Sequence, residues 1–221
     1  MSTALVLVLG ATVSADARDG DGPYPAVKVC DEIFSGGSAR AIDSLSAAKA
    51  YRSYGSGGLD RVAGELKYNY SEFDGSVSRL CGFSGVGRFD VGITVDFSLY
   101  GNAKEVRRDK SLGYFSPWRD RDVYGMGMYA DAGARNASLK FECLTPQVDS
   151  SGIIPFPVQG ALEQRRNLPE EDDRTLRDAN MTILHAAALA MAKKLGCENN
   201  GGIPAKVDLR VLKPADPAAR Y

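Results

Sequence analysis

The residues most able to do chemistry in this chain are four cysteines and a single histidine. Cys30, Cys81, Cys143 and Cys197 lie 51, 62 and 54 residues apart, and none belongs to a Cys-x-x-Cys pair. His185 is the only histidine, and the cysteines do not have the spacing of zinc ligands. Any Ser-His-Asp or Cys-His mechanism would therefore have to use His185. His185 falls in the middle of a strongly helical stretch, which favours a packed structural role. The cysteines therefore indicate cross-links rather than a reactive centre.

Shorter patterns resemble catalytic motifs but lack their context. Ser46-Ala-Ala-Lys49 matches the Ser-x-x-Lys of penicillin-recognising serine enzymes, yet the chain has no Lys-Thr-Gly and is short for that fold. The glycine pairs at 85–87 and 125–127 lack the later glycine of a dinucleotide fingerprint. The carboxylates available for glycoside hydrolysis are Asp120, Asp122, Asp131, Asp149 and residues 170–173. Because their separation cannot be read from sequence, we predict no catalytic residue, no cofactor and no metal site.

One aromatic and charged segment is a candidate contact patch. Trp118, Arg119 and Arg121 combine an indole with alternating charges in a predicted loop, and the alternative is a solvated turn anchored by Trp118. Charge over the whole chain is balanced, with 27 Lys plus Arg against 28 Asp plus Glu. A nucleic-acid partner is therefore not predicted.

The beginning of the chain indicates export. Residues 3–13 are apolar and are followed by small residues suited to a signal peptidase. We predict a signal peptide or N-terminal anchor over residues 1–17 and a flexible stalk over 18–26, where Gly, Pro and Asp dominate. No Lys or Arg precedes the apolar run, so a longer membrane anchor and a buried N-terminal strand are the alternatives. Membrane contact is expected only through this segment, if it is not cleaved.

Four cysteines in an exported chain favour two disulfides. Of the three pairings we prefer Cys30 with Cys81 and Cys143 with Cys197, which gives each half of the chain its own cross-link. If the first segment is not a leader, four buried thiols are the alternative.

The longest helical pattern covers residues 173–197. Leu176, Ile183 and Met191 fall on one side of it, and after residue 181 the opposite, polar face also becomes small and apolar. Gly196 is placed for the left-handed position that ends a helix. We therefore predict a helix that is buried on more than one side and stops close to Cys197.

Other periodicities predict a mixed domain. Helices are expected over 38–50, with Ser38 as N-cap, and over 59–66; strands are expected over 77–83, 90–100, 123–130, 137–144 and 206–212. Residues 145–169, rich in proline, are expected to be a long connection. The fold class is α+β, an antiparallel sheet with helices mainly on one face. A single domain over 27–212 is built from two disulfide-linked halves, and 213–221 are a tail.

The sequence around the cysteines resembles a known group of proteins. Cys30 stands in Val-Cys-Asp, Cys81 in Arg-Leu-Cys-Gly, Cys143 in Phe-Glu-Cys and Cys197 in Lys-Leu-Gly-Cys-Glu. Over residues 27–212 this layout resembles small exported proteins of high-GC Gram-positive bacteria that are themselves uncharacterised. The resemblance implies an extracytoplasmic, disulfide-bonded α+β domain and supplies no active-site residues.

We therefore expect an exported or cell-envelope protein with a non-enzymatic domain that binds a small ligand or a cell-surface protein. One histidine and no metal set leave few routes to acid-base chemistry. The alternatives are a secreted hydrolase of envelope polymers and a carrier of an apolar small ligand. A hydrolase should show carboxylates, or a serine with Lys49, converging on a pocket, whereas a carrier should show a large cavity between sheet and helix. A binding module should show an apolar or aromatic patch.

Overall fold

The computed structural model of the chain describes residues 23–55, 57–72, 76–100, 121–147, 154–165 and 174–215, and only the backbone of residues 72 and 88–91. The helices in these ranges are α1 (Gly37–Ser46), α2 (Leu59–Glu72) and α3 (Arg174–Leu195). The strands are β1 (Tyr51–Tyr54), β2 (Ser78–Gly85), β3 (Arg88–Leu99), β4 (Asp122–Tyr124), β5 (Tyr129–Ala132), β6 (Asn136–Cys143), β7 (Phe156–Arg165) and β8 (Val211–Lys213). Short 3₁₀ turns lie at Ala26–Lys28 and Glu198–Gly202.

All eight strands form one antiparallel sheet in the order β1-β2-β3-β7-β6-β5-β4-β8. Helix α3 packs on β5, β6 and β7, while α2 packs on β2 and β3. Helix α1 lies against α3. The predicted α+β class, with an antiparallel sheet and a long helix in the second half, is confirmed. No helix among the described residues is both long enough and apolar enough to span a bilayer.

Helix α3 ends as its sequence predicts. Gly196 has φ +72°, and its N–H donates to Lys193 O at 3.1 Å while the Cys197 N–H donates to Ala192 O at 2.9 Å. These two bonds form a Schellman motif, which satisfies carbonyls that the end of a helix would otherwise leave unpaired. Both faces of the helix pack against other elements, and even Asn180 is 0% exposed. The amide of Asn180 donates to Gly133 O at 2.9 Å, which fixes α3 over the turn between β5 and β6.

Two disulfides link the chain in the predicted pairing. Cys30 is bonded to Cys81 and Cys143 to Cys197, with Cα–Cα distances of 5.5 and 4.8 Å. The first links the segment before α1 to β2, and the second links the end of β6 to Cys197, two residues after the end of α3. Each closes a loop of about fifty residues, which contributes about 4 kcal/mol in the chain-entropy model. Two disulfides with no free cysteine indicate that the protein matures in an oxidising compartment.

The prediction that residues 145–169 lack regular structure is wrong, because β7 lies there and occupies a central place in the sheet. Prolines at 155 and 157 caused the error, since proline is rare in central strands. Pro157 is tolerated because it lies beside the end of β3. The Pro157 carbonyl accepts the Tyr100 N–H at 3.1 Å. Proline has no N–H, but an N–H at this position would also have pointed toward Tyr100, beyond Leu99, the last residue of β3 that pairs with β7.

The predicted strand over 123–130 is instead a hairpin of β4 and β5. Gly127 causes the break, with φ +58° and a position so close to β6 that an added Cβ would lie 2.4 Å from Lys140 O. The next residue, Met128, donates its N–H to the same carbonyl at 2.8 Å. A glycine held this tightly against a neighbouring strand marks a turn rather than strand interior.

Three smaller predictions need correction. Ser38 is not the N-cap of α1, because Gly36 holds that position and the Ser38 hydroxyl donates to Ser35 O at 3.0 Å. A bulge between Arg79 and Cys81 breaks the predicted alternation of β2. Of the strand predicted over 206–212, only β8 pairs, with the edge strand β4.

Candidate functional site

The two faces of the sheet differ in chemistry. The strands turn apolar side chains toward the helices, and Gly160 leaves room there for Leu184 of α3. The opposite face, which we call the open face, carries polar side chains from the alternate positions of β3, β5, β6 and β7. Several of these are buried, among them Asp131, Ser138, Lys140 and Gln159. Buried polar groups need partners, so the open face is the candidate location of a binding site.

A cleft of about 290 Å³ lies on the open face over β3, β7 and β6. The strand register places Asp96 beside Ala161 and Ala161 beside Ser138. Ala161 and Ser138 are small, so they form a low floor between longer side chains. Val77 and Gln159 also line the cleft. Its volume is at the lower end of the range for ligand pockets, roughly 300–1,000 Å³.

Arg121 lies at one side of this cleft and is only 8% exposed. Its Nη1 donates to Asn136 Oδ1 at 2.6 Å, and its Nη2 forms an ion pair with the Asp131 carboxylate. The charge is therefore balanced and the guanidinium is held in place. Among the described residues its Nε–H has no hydrogen-bond acceptor, although that atom is buried.

Ser138 provides a second unpartnered group. Its side chain is 5% exposed, and its Oγ has no hydrogen-bond partner among the described residues. Ser138 and Arg121 line the same cleft, but these two atoms are themselves covered, so a ligand reaches them only when the groups that cover them shift. A buried donor or acceptor without a partner costs about 1–3 kcal/mol, so the pair costs several kcal/mol when the cleft holds no ligand.

Carboxylates line the other side of the cleft. Arg79 binds Asp96 through two nitrogens, with Nε–Oδ1 at 2.8 Å and Nη2–Oδ2 at 3.2 Å. Glu163 is exposed and lies diagonally across the β3–β7 ladder from Asp96, because Asp96 is opposite Ala161 and Glu163 opposite Thr94. This side of the cleft therefore offers hydrogen-bond acceptors.

A buried lysine lies in the next row of the open face. Lys140 is 5% exposed, and its Nζ is 3.5 Å from the centroid of the Tyr100 ring and 5.7 Å from that of Tyr129. Burial lowers the pKa of Lys140 to about 8, against the opposing attraction of Asp131. Burial also raises the pKa of the Asp131 carboxyl, although Arg121 acts in the opposite direction. Keeping the buried Lys140 side chain protonated therefore costs folding free energy.

A second cleft, of about 460 Å³, lies between Pro25 and α1, and it includes Asp43 and Lys49. The Asp43 carboxylate already accepts the Tyr51 hydroxyl at 2.8 Å. No buried side-chain polar atom without a partner belongs to its lining residues. We therefore place the candidate site in the first cleft.

The Ser-x-x-Lys pattern does not form a catalytic pair. The Ser46 hydroxyl is buried, donates to Ile42 O at 2.9 Å and lies 2.7 Å from the Tyr51 hydroxyl. Helix α1 ends at Ser46, and Ala47 has φ +49°, so the chain turns away before Lys49. A hydroxyl engaged in this way is not available as a nucleophile.

The other candidate residues have separate positions. His185 is 5% exposed, and its Nε2–H donates to Pro204 O at 2.8 Å, while burial lowers its pKa. Asp122 binds Arg177 Nε at 2.8 Å. Trp118 and Arg119, together with residues 120, 149 and 170–173, lie outside the described residues. Arg121 is buried against Asp131, so it supplies no exposed cation to the proposed contact patch.

Sequence reasoning missed the β7 side of the cleft, which includes Gln159, Ala161 and Glu163. These residues alternate with Val158, Gly160 and Leu162, and this period of two was the available signal. The prolines before it hid that signal.

Comparison with protein-family models, curated proteins and solved structures finds no match to this chain. Among the described residues, no group of three or more His, Cys, Asp or Glu side chains is placed to hold a metal ion.

Proposed function

We propose that this chain is an exported or cell-envelope protein whose folded part is a non-enzymatic binding domain, and that the open-face cleft holds a small polar ligand. The observation that supports this most strongly is a pair of buried groups without partners, Arg121 Nε–H and Ser138 Oγ, in two residues that line one cleft. A ligand that enters the cleft, displaces the groups covering these two atoms and bonds to both recovers part of the several kcal/mol that they cost.

That sum is a large fraction of the 5–15 kcal/mol by which a domain is usually stable. The export part of the proposal is supported by the two disulfides and by the leader-like first residues. The cleft has both apolar and polar lining, whereas the sequence predicts an apolar or aromatic patch for a binding module.

A fragment screen by NMR tests the binding function. Small polar compounds are added to the oxidised, ¹⁵N-labelled protein, and binding in the cleft should shift the amides of Ser138, Gln159 and Ala161. Ala161→Leu fills the floor without adding charge and should abolish these shifts. Ser84→Leu, on the same face of β2 but outside the cleft lining, is the matched control and should retain them. If no compound shifts the cleft amides, or if Ala161→Leu binds as well as the wild type, the proposed function is wrong.

One observation favours a second candidate, a hydrolase of envelope polymers. Asp96 and Glu163 both line the cleft, and two carboxylates are the usual equipment for glycoside hydrolysis. It ranks second because both oxygens of Asp96 are bonded to Arg79, which leaves this carboxylate poorly placed to hold a catalytic proton. Release of reducing ends from cell-wall polysaccharide by the wild type, and not by Glu163→Gln, would favour it.

The third function, carriage of an apolar ligand, requires a cavity between sheet and helices. Of the two clefts that described residues line, one lies on the open face and the other beside α1.

A further inference from the structure

Four charged groups around the open-face cleft form two ion pairs, whereas Glu163 at its exposed rim forms none among the described residues. Arg121 is bound to Asp131 and Arg79 to Asp96. An anionic ligand would have to displace Asp131 from Arg121 or lie unneutralised near two carboxylates. A cationic ligand would compete with Arg79 for Asp96 or pair with Glu163 at the exposed rim, where an ion pair contributes little binding free energy. The cleft is therefore suited to a neutral ligand, because burying an unpaired charge costs more than any hydrogen bond here returns.

The hydrogen-bonding groups are of opposite type on the two sides. Arg121 Nε–H can only donate, and Ser138 Oγ can donate or accept. Across the floor, the carboxylate of Asp96 retains acceptor capacity beyond its two bonds to Arg79, and Glu163 is exposed at the rim. The backbones of β3 and β6 lie two strand spacings apart, roughly 10 Å, so one small molecule can contact both sides. Such a molecule needs acceptors at one end and donors at the other.

Hydroxyl groups meet this requirement most simply, since each is both a donor and an acceptor. The side chains around the cleft include carboxylates, an amide and a guanidinium, which are planar groups that bind neighbouring hydroxyls in pairs. The floor also has an apolar part, the methyl of Ala161 and the side chain of Val77 at the rim. A ring with hydroxyls at its edge and C–H bonds on its face fits both features.

From these observations, and resting on the proposed binding function, we infer that the open-face cleft binds one neutral pyranose unit, a monosaccharide or the end of a glycan. Once the groups that cover Arg121 Nε and Ser138 Oγ shift, its hydroxyls accept from Arg121 Nε–H, bond to Ser138 Oγ and donate to Asp96. A cleft of about 290 Å³ admits a single ring rather than a row of rings. With few hydrogen bonds available, we expect millimolar dissociation constants for a free monosaccharide.

The test is a set of NMR titrations of the oxidised protein with four probes. The neutral sugars are glucose and N-acetylglucosamine, and the charged or non-sugar probes are glucuronate and N-acetylglycinamide. At least one neutral sugar should shift the amides of Ser138 and Ala161 and bind more tightly than glucuronate. Ser138→Ala should weaken that sugar about five-fold, the loss of one hydrogen bond of about 1 kcal/mol. Ser84→Ala is the matched control and should bind with unchanged affinity.

The outcomes separate this inference from the function on which it rests. If glucuronate or N-acetylglycinamide binds in the cleft and neither neutral sugar does, the pyranose assignment is wrong and the binding function stands. If a neutral sugar binds equally well to wild type and Ser138→Ala, the pyranose assignment in this cleft is also wrong. If none of the four probes shifts the cleft amides and the fragment screen also fails, both are wrong.

Discussion

Replacing Lys140 by methionine should change how stability depends on pH. The lysine is buried beside the candidate cleft, and burial lowers its pKa to about 8, whereas an unfolded chain gives lysine a pKa of about 10.4. Between these values the unfolded chain binds a proton that the folded protein has lost. Stability must therefore rise as pH rises through this window. Lys140→Met keeps most of the side-chain volume and removes the titrating group.

The two pKa values set the size of the effect. Between about pH 7 and about pH 9.5, the shifted pKa raises the unfolding free energy of the wild type by about 2 kcal/mol relative to that of Lys140→Met. Contacts of Lys140 Nζ with the rings of Tyr100 and Tyr129 favour the charged form and reduce that figure. We therefore expect the difference in unfolding free energy to change by about 1–2 kcal/mol.

Urea unfolding of both proteins across this pH range measures the difference. Tyr124 and Tyr129, whose pKa values burial raises, begin to lower stability near pH 10 in both proteins, so their effect largely cancels. A difference that stays constant with pH would show that Lys140 titrates as an exposed lysine does. The proposed burial of this face of the sheet would then be wrong.

Three further predictions concern stability. The double variant Cys143→Ala/Cys197→Ala should lose about 4 kcal/mol in urea unfolding, and a loss below about 1 kcal/mol would contradict the proposed cross-link. Because burial lowers the pKa of His185, the unfolding free energy of the wild type should fall as pH drops below about 6.5. In His185→Gln this fall should be smaller, and an equal fall in the two proteins would contradict the prediction. Gly127→Ala should lower the unfolding free energy by more than about 2 kcal/mol, because a Cβ there meets a backbone carbonyl. Gly87 has φ +76° and open space around it, so Gly87→Ala should cost only about 1 kcal/mol in thermal or urea unfolding.

The sequence predicts most of the architecture of this protein. The period of the helix and its terminal Gly196 locate the end of α3. The alternation of β6 points Cys143 toward that end, so the disulfide follows. These features are local, and each depends on residues close together in the chain.

The sequence does not predict the cleft, because the cleft depends on pairings between distant strands. Asp96, Ala161 and Ser138 become neighbours only when β7 lies between β3 and β6. Pro157 argues against a central strand until one sees that β3 ends beside it. Arg121 looks like an exposed loop cation in sequence, and only the fold shows that it pairs with Asp131.

The most direct measurement of the binding site is the solvent exchange of the Arg121 Nε–H, followed by ¹⁵N NMR with and without a saturating neutral sugar. The buried, unpartnered group should exchange measurably in the free protein, and its resonance should shift and its exchange slow when the sugar binds, with a smaller effect in Ser138→Ala. An Arg121 Nε–H that is already protected in the free protein and does not change with ligand would contradict the proposed site.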